Sequence, residues 1–212
     1  MNDTQIPAPA PAAAALAGPV ATCLALLAER GWHGFALRDV AVASGLSLAE
    51  LYRRYPTRPA LLAAWLAAVD AALLQGAEAD DSSDTIRDRL FDTLMRRYDL
   101  LVPQRAAIRR LRADLRRDPA AALALAPAID RAMAVVLEAA GLASDGLRGH
   151  LRRQGLALVH ARVLAVWVDD DTADLSRTMV ALDRHLKTAE RRIGQLSRVF
   201  RGLRHPAAAE RP

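Results

Sequence analysis

The fold that this sequence predicts rests on residues 45–62, GLSLAELYRRYPTRPALL. Gly45 can adopt the positive φ angle that a tight turn between two helices requires. Ser47, with Glu50 three residues later, forms the pattern of a capping box, which marks a helix start, and Pro56 sets the end of that helix. A short helix that begins after a glycine-containing turn is typical of the second helix of a helix-turn-helix motif.

Two further helices precede this one. Helical periodicity begins at Pro19, which suits a first helical position, and stops at Gly31, while RDVAVAS (38–44) is a second short helix. Because many all-helical proteins contain helix-turn-helix spacing, this pattern alone predicts the architecture and not the function. The apolar residues of this unit are spaced to close a small core, made of Leu24, Leu27, Phe35, Val40, Leu46, Leu51 and Tyr55.

The composition of the whole chain favours helix. Of its 212 residues, 52% are hydrophobic, Ala and Leu dominate, and β-branched residues are sparse. Apolar periodicity predicts about nine helices and no strand, so the predicted fold class is all-α. The predicted organisation is a flexible Ala/Pro tail, a helix-turn-helix domain, a larger helical domain and a second tail, over residues 1–18, 19–65, 66–204 and 205–212.

Charge and cysteine content set broad limits on function. The formal net charge of +5 permits a polyanionic partner without requiring one. Cys23 is the only cysteine, which excludes an intramolecular disulfide and favours a reducing compartment. The first residues lack the basic segment of a secretory signal, and no run of about 18 uncharged apolar residues is present. We therefore expect a cytoplasmic protein.

Residues 25–66 resemble the DNA-binding domain of the tetracycline-repressor (TetR) family of bacterial regulators. The motifs that carry the resemblance are AERGW, RDVA, GLS, LYRRYP and TRxxL, in this order between residues 28 and 61. The resemblance implies a homodimeric transcriptional regulator, in which the third helix enters the major groove of operator DNA. It also implies that residues 66–204 dimerise and hold a pocket whose effector controls DNA affinity.

The resemblance assigns roles to individual residues of this domain. It implies that Tyr52 and Arg53 meet phosphates or base edges, and that Arg38 and Arg58 approach the DNA backbone. Arginine suits both tasks, because it is permanently charged and can bind phosphate or guanine in a bidentate manner. Packing of Tyr52 and solvation of the arginines of the third helix are the alternatives. The predicted DNA-binding residues are Arg38, Ser47, Tyr52, Arg53, Arg54 and Arg58.

Several positions depart from the family pattern. The family often has a hydroxyl residue at Ala36, a basic residue at Ala43 and a lysine at Leu48, and Glu50 stands where small or hydroxyl residues are common. Each change removes a phosphate contact or adds a like charge near one, and phosphate neutralisation supplies most non-specific affinity. The side chains farther along the third helix must therefore carry DNA binding.

The C-terminal two-thirds supply candidate effector and dimer residues. Residues 156–168, LALVHARVLAVWV, are apolar on nearly every side of a helix, which in a small chain suggests burial against a second subunit. The candidate walls of a pocket for a hydrophobic small molecule or lipid are Leu62, Trp65, Leu66, Phe91, Met95, Met133 and Leu137. The predicted dimer interface is Leu158, Val163, Trp167, Leu175, Met179, Leu182 and Leu186.

Two basic helical faces remain open to more than one interpretation. The first face carries Arg105, Arg109, Arg112 and Arg116, and is either a solvated face or a site for an acidic ligand. The second lies at residues 190–204, in a helix with a heptad seam. That segment is either a protruding dimer seam or a basic amphipathic helix that contacts an anionic membrane.

A second resemblance supports a different function. Residues 166–191 are similar to the C-terminal region of the ubiquinone-biosynthesis lipid-binding proteins, which share a TetR-like fold and have lost DNA binding. This resemblance implies an accessory protein that binds lipid in its central cavity and contacts membranes through residues 190–204. The sequence leaves the regulator and the lipid-binding protein as two hypotheses, and identifies neither an operator nor an effector.

No pattern in the sequence predicts catalysis, a cofactor or a metal site. GLSLA lacks the final glycine of a nucleophile elbow and lies in a helix-turn-helix context. The five histidines lack metal-ligand spacing, and His160 is expected to be a satisfied core histidine. DDDTAD, residues 169–174, is interpreted as a helix cap favoured by the helix dipole.

Overall fold

The computed structural model describes residues 18–77 and 85–203, and the side chains of residues 18–76 and 85–191. The predicted tails, residues 1–18 and 205–212, lie outside this part of the chain except for Gly18. The described residues form α-helices, one 3₁₀ turn (Val102–Gln104) and connecting turns, with no strand, which confirms the predicted fold class. The helices are α1 (Pro19–Arg30), α2 (Leu37–Ala43), α3 (Leu48–Arg54), α4 (Arg58–Ala77), α5 (Ile86–Leu101), α6 (Arg105–Leu115), α7 (Pro119–Ala139), α8 (Gly146–Trp167) and α9 (Ser176–Leu203).

The three short helices α1–α3 pack as predicted. The seven apolar residues expected to form their core are buried or packed against buried neighbours. Gly45 has a φ angle of 70°, and Gly31, which ends α1, has a φ angle of 75°. Both values lie in the left-handed region that a residue without a Cβ adopts at little cost, so the two glycines position the turns.

Helices α4 and α7 form the centre of the larger domain and pack against each other. Both are long and apolar enough, by length and composition alone, to cross a membrane. Leu62 and Trp65 of α4 and Met133 and Leu137 of α7 lie in one buried core. Because α4 spans Arg58–Ala77, it runs through the predicted domain boundary at residue 65 and joins the two regions without a loop.

The last two helices pack against each other, and a polar turn precedes the second of them. Helix α9 starts at Ser176. It does not begin earlier because Leu175 has a φ angle of 54°, which lies outside the helical range. In that turn, buried Asp170 accepts hydrogen bonds from the backbone N–H of Thr178 at 2.8 Å and its hydroxyl at 2.7 Å. The predicted cap at residues 169–174 is thereby confirmed.

Candidate nucleic-acid interface

Helix α3 turns one side to the core and leaves the rest of its surface exposed. Leu51 is fully buried, and Tyr55 is half-buried against the same core, as predicted. Tyr52, Arg53 and Arg54 are exposed. The alternative that Tyr52 packs against the protein does not hold, since 60% of this residue is accessible to solvent.

The predicted capping box at the start of α3 is present. The Ser47 hydroxyl accepts the Glu50 backbone N–H at 3.2 Å and donates to Glu50 Oε2 at 2.7 Å, and the Ser47 N–H donates to the same oxygen at 3.0 Å. These bonds, first that from the Ser47 hydroxyl and then that from its backbone, hold the pKa of Glu50 below its usual range. The polar atoms of both side chains therefore cap the start of α3. Capping is the role that the structure gives Ser47, which was predicted to bind DNA.

Helix α2 adds a further cation to this surface. Arg38 is exposed in the first turn of α2, next to Asp39, whose carboxylate accepts the Ala36 N–H at 2.7 Å. The Asp39 carboxylate is thus engaged with its own helix start. Together with Arg53 and Arg54, Arg38 gives the helix-turn-helix unit three exposed guanidinium groups, which suit phosphate and base-edge contacts.

Arg58, predicted to approach a phosphate, faces the protein. Its Nη1 donates to the carbonyl oxygens of Trp32 and Phe35, the latter at 2.9 Å. Its guanidinium carbon lies 4.3 Å from the centroid of the Trp32 ring and 5.3 Å from that of Phe35. These contacts correct the prediction: Arg58 ties α4 to the segment between α1 and α2 instead of reaching outward.

Helix α6 connects the helix-turn-helix unit to the end of α8, and sequence reasoning missed this role. Near its C-terminal end, Asp114 accepts the backbone N–H of Trp32 at 2.7 Å. Near its N-terminal end, Arg105 donates to the carbonyl of Asp170 at 2.5 Å, and Arg109 donates to that of Val168 at 3.0 Å. Two of the four arginines of the predicted basic stripe are therefore structural. Half of the Arg109 side chain nevertheless remains exposed to solvent.

The core of the larger domain contains a polar cluster. Arg97 Nη1 donates to Asp70 Oδ1 at 2.5 Å, and both residues are buried. Tyr98 stacks on Trp167 and on His160, and its hydroxyl lies 3.0 Å from His160 Nδ1. The prediction that His160 is a satisfied core histidine is confirmed. Burial, with a smaller contribution from the charge of Arg97, lowers the pKa of His160 to about 3.

The seven predicted effector-wall residues are split between the packed core and a surface groove. Leu62, Trp65, Met133 and Leu137 are buried in close packing, and Leu66 and Met95 pack against them. Only Phe91 among the seven lines an open groove of about 380 Å³ between α5 and α9. The other lining residues of this groove are Arg87, Asp88, Met179, Val180 and Asp183.

Most of the predicted dimer residues are buried within one chain. Buried side chains leave no surface for a second subunit to contact. The predicted role in the dimer interface is therefore corrected for five residues: Val163, Trp167, Leu175, Leu182 and Leu186. Met179 is half-buried and lines the groove. Leu158 is the exception, since 59% of it is exposed.

An exposed apolar row on α8 includes Leu158. Leu147 and Leu151 are also exposed, by 77% and 63%. The spacings of four and seven residues place the three leucines on one face of α8.

The segment 190–204, predicted as a dimer seam or membrane contact, lies mostly outside the described side chains. Among the described residues, no three His, Cys, Asp or Glu side chains are grouped so that they could hold a metal ion.

Residues 20–65 match the family model of the bacterial regulatory proteins of the tetR family. The matched segment runs from α1 into α4 and contains the whole helix-turn-helix unit. Residues 20–65 are thus a segment of TetR type, called the TetR domain below. The match confirms the resemblance that the motifs predicted, and the TetR domain carries the exposed cations of α2 and α3.

The fold of the chain is that of solved TetR regulators. A TetR transcriptional regulator from Nitrosomonas europaea superposes with a TM-score of 0.62 at 24% identity, over 81% of this chain and 95% of that chain. One from Rhodococcus sp. RHA1 gives a TM-score of 0.60 at 18% identity, over 81% of this chain and 92% of that chain. No curated protein sequence matches the chain. At these identities the likeness shows a shared fold: a TetR domain followed by a larger helical domain.

Proposed function

We propose that this protein is a cytoplasmic transcriptional regulator, acting as a repressor, that binds double-stranded operator DNA through α3. The observation that carries the proposal is the exposed face of α3, with Tyr52, Arg53 and Arg54, in a domain matched to the TetR family. Arginine at this place supplies charge for phosphates and bidentate hydrogen bonds for guanine. The proposal includes no catalytic step.

DNA binding is tested by titrating the protein against labelled DNA from upstream of its own coding sequence at several salt concentrations. Affinity for DNA should fall steeply as the salt concentration rises. The reason is that the basic side chains of the bound protein release counterions from the duplex, and added salt opposes this release. Arg53→Ala should weaken binding by at least about tenfold, because the exposed guanidinium contacts a phosphate or a base edge. Arg148→Ala, at an exposed arginine of α8, is the matched control and should leave affinity unchanged. Equal losses in both variants, or no binding to any fragment at moderate salt, would contradict the proposal.

We further propose that a hydrophobic small molecule controls operator affinity from the groove between α5 and α9. Phe91, Met179 and Val180 give this groove an apolar lining, and Arg87 with two carboxylates gives it a charged rim. An apolar lining with a few polar groups is typical of small-molecule sites. A ligand held there would contact α5 and α9 together and so stabilise the state in which they keep this spacing.

A graded series of alkyl carboxylates, from hexanoate to dodecanoate, serves as the probe for this groove. The melting temperature should rise with chain length at fixed concentration, because tighter binding to the folded state stabilises it by mass action. Phe91→Ala should remove the dependence on chain length, whereas Leu123→Ala, at an exposed leucine of α7, should retain it. A rise that is the same for both variants would place the site elsewhere.

We propose that the protein is a homodimer whose interface includes the exposed leucines of α8. Contiguous exposed apolar side chains mark interaction surfaces, and Leu147, Leu151 and Leu158 share one helix face. Leu151→Asp should shift the mass measured by light scattering from dimer to monomer. Leu123→Asp places the same charge at an exposed leucine of α7 and should leave the mass unchanged.

The lipid-binding accessory protein is not favoured by the comparisons. The matched family model and the solved structures are those of transcriptional regulators. Liposome binding that is lost on truncation at residue 189, in a protein that fails to bind DNA, would reverse this preference.

A further inference from the structure

Ahead of its two arginines, α3 exposes apolar side chains where a DNA-reading helix usually carries polar ones. Leu48 is 46% exposed and Tyr52 is 60% exposed, and Ala49 is exposed between them. The polar groups nearby, the hydroxyl of Ser47 and the carboxylate of Glu50, are bonded to each other in the capping box. The free surface at the start of α3 therefore consists of apolar side chains beside the exposed Glu50 carboxylate, whose Oε2 is engaged in the capping box.

Base pairs in the major groove offer one apolar group to such a surface, the C5-methyl group of thymine. Leu48 and Tyr52 are one turn apart on the same face of α3, and their positions differ by roughly 6 Å along the helix axis. That distance is close to twice the 3.4 Å rise of DNA along each strand, so the two side chains can meet methyl groups of base pairs that are two steps apart. Arg53, the residue after Tyr52, can make one charged contact beside these two apolar contacts.

We propose that Leu48 and Tyr52 read thymine methyl groups in each operator half-site, so that the operator is selected largely by apolar contacts. This inference rests on the proposed DNA-binding function. It assigns the specificity of α3 to the two large apolar side chains and leaves phosphate binding to the exposed arginines. It also gives a use to the departure from the family pattern at Leu48, which otherwise only removes a phosphate contact.

Deoxyuridine provides the test, because it differs from thymidine in DNA only by the missing methyl group. The bound sequence is first selected from a random duplex library, and each thymine of a half-site is then replaced by deoxyuridine. At one or two positions the affinity should fall about fourfold, which is the worth of one buried methyl group. At other thymines it should not change. Fluorescence anisotropy at fixed salt gives the affinities.

Protein variants connect the missing methyl groups to the two side chains. Leu48→Ala should bind more weakly and no longer distinguish thymine from deoxyuridine at one position, and Tyr52→Ala should do so at another. Tyr52→Phe keeps the ring and should still distinguish thymine from deoxyuridine. If Tyr52 acted instead through a hydroxyl contact to phosphate, Tyr52→Phe would lose that contact. Leu123→Ala, at an exposed leucine of α7, is the control and should retain the whole pattern.

The outcomes separate this inference from the function on which it rests. Specific DNA binding that is indifferent to deoxyuridine at every thymine overturns the inference and leaves the regulator function standing. A deoxyuridine effect that persists unchanged in Leu48→Ala and Tyr52→Ala also overturns it. Absence of binding to any member of the library overturns both. Because both side chains are exposed, circular dichroism should show that the variants fold normally.

Discussion

The backbone N–H of Trp32 donates to Oδ2 of Asp114 at 2.7 Å, although the two residues are 82 positions apart in the chain. Trp32 is buried just after α1, and Asp114 is near the end of α6. Gly31 lies so close that a Cβ built on it would be 2.8 Å from the same carboxylate oxygen. This hydrogen bond therefore fixes a close approach of the TetR domain to the larger domain.

Removal of the Asp114 carboxylate should destabilise the protein. Asp114→Ala leaves the Trp32 N–H without its acceptor, and a buried unsatisfied donor costs about 1–3 kcal/mol. The free energy of unfolding from urea titrations measures the loss. Asp145→Asn removes one negative charge at an exposed position whose side chain makes no cap hydrogen bond, so its effect should stay within about 0.5 kcal/mol. A similar loss in both variants would show that charge, and not the bond to Trp32, is responsible.

Arg58 and Arg53 should differ in what their replacement changes. Arg58→Ala removes two hydrogen bonds to backbone carbonyls and should lower the free energy of unfolding by about 2 kcal/mol. It should leave the slope of log affinity against log salt unchanged. Arg53→Ala should do the opposite, reducing that slope by about one if its guanidinium neutralises one phosphate. A reduced slope in Arg58→Ala would mean that its guanidinium turns toward DNA on binding.

Cys23 should resist thiol reagents in the folded protein. The side chain is fully buried, and burial, opposed by the charge of Arg58, raises the pKa of the thiol to about 12. The reactive thiolate is then about one part in ten thousand at pH 8. Reaction with Ellman's reagent should be at least about a hundredfold slower than in urea-unfolded protein, and Cys23 is the only thiol that could report. Rapid labelling of folded protein would contradict the burial of α1.

His160 should make the protein less stable as the pH falls. Its pKa is about 3 in the folded chain, against a usual value near 6.5. Between these values the unfolded state binds a proton that the folded state does not, so stability falls by up to about 1.4 kcal/mol per pH unit. In His160→Gln, the free energy of unfolding should depend less on pH between 6 and 4.

His150, exposed on the same helix, provides the control for this pH dependence. His150→Gln should reproduce the wild-type decline in the free energy of unfolding. If His160→Gln declines as steeply as the wild type, other buried groups cause the effect.

The TetR domain was predictable from sequence because local patterns determine it. The capping box of Ser47 and Glu50, the turn at Gly45 and the spacing of the core residues each depend on neighbours within a few positions. The family match over residues 20–65 agrees with the motifs that were recognised. For Tyr52 the sequence left packing and DNA contact as alternatives, and only the structure shows that the side chain is exposed.

The roles of the long side chains were not predictable in the same way. An arginine can reach solvent, a phosphate or a backbone carbonyl from one Cα position, so spacing could not show that Arg58 and Arg109 bind carbonyls. Hydrophobic periodicity predicted that Val163 and Trp167 are buried but could not tell which chain covers them. The structure covers them with helices of the same chain.

Helix α6 has one further consequence, because it is attached at both ends and is only 11 residues long. A rigid helix of that length spans roughly 16 Å and cannot be compressed or stretched along its axis without breaking its own hydrogen bonds. A displacement of the turn after α8, applied through Arg105 and Arg109, must therefore be accompanied by movement at Asp114 or by rupture of one of these hydrogen bonds. In mechanical terms α6 acts as a strut that links the position of Trp32 to that of Val168 through Asp114 and Arg109.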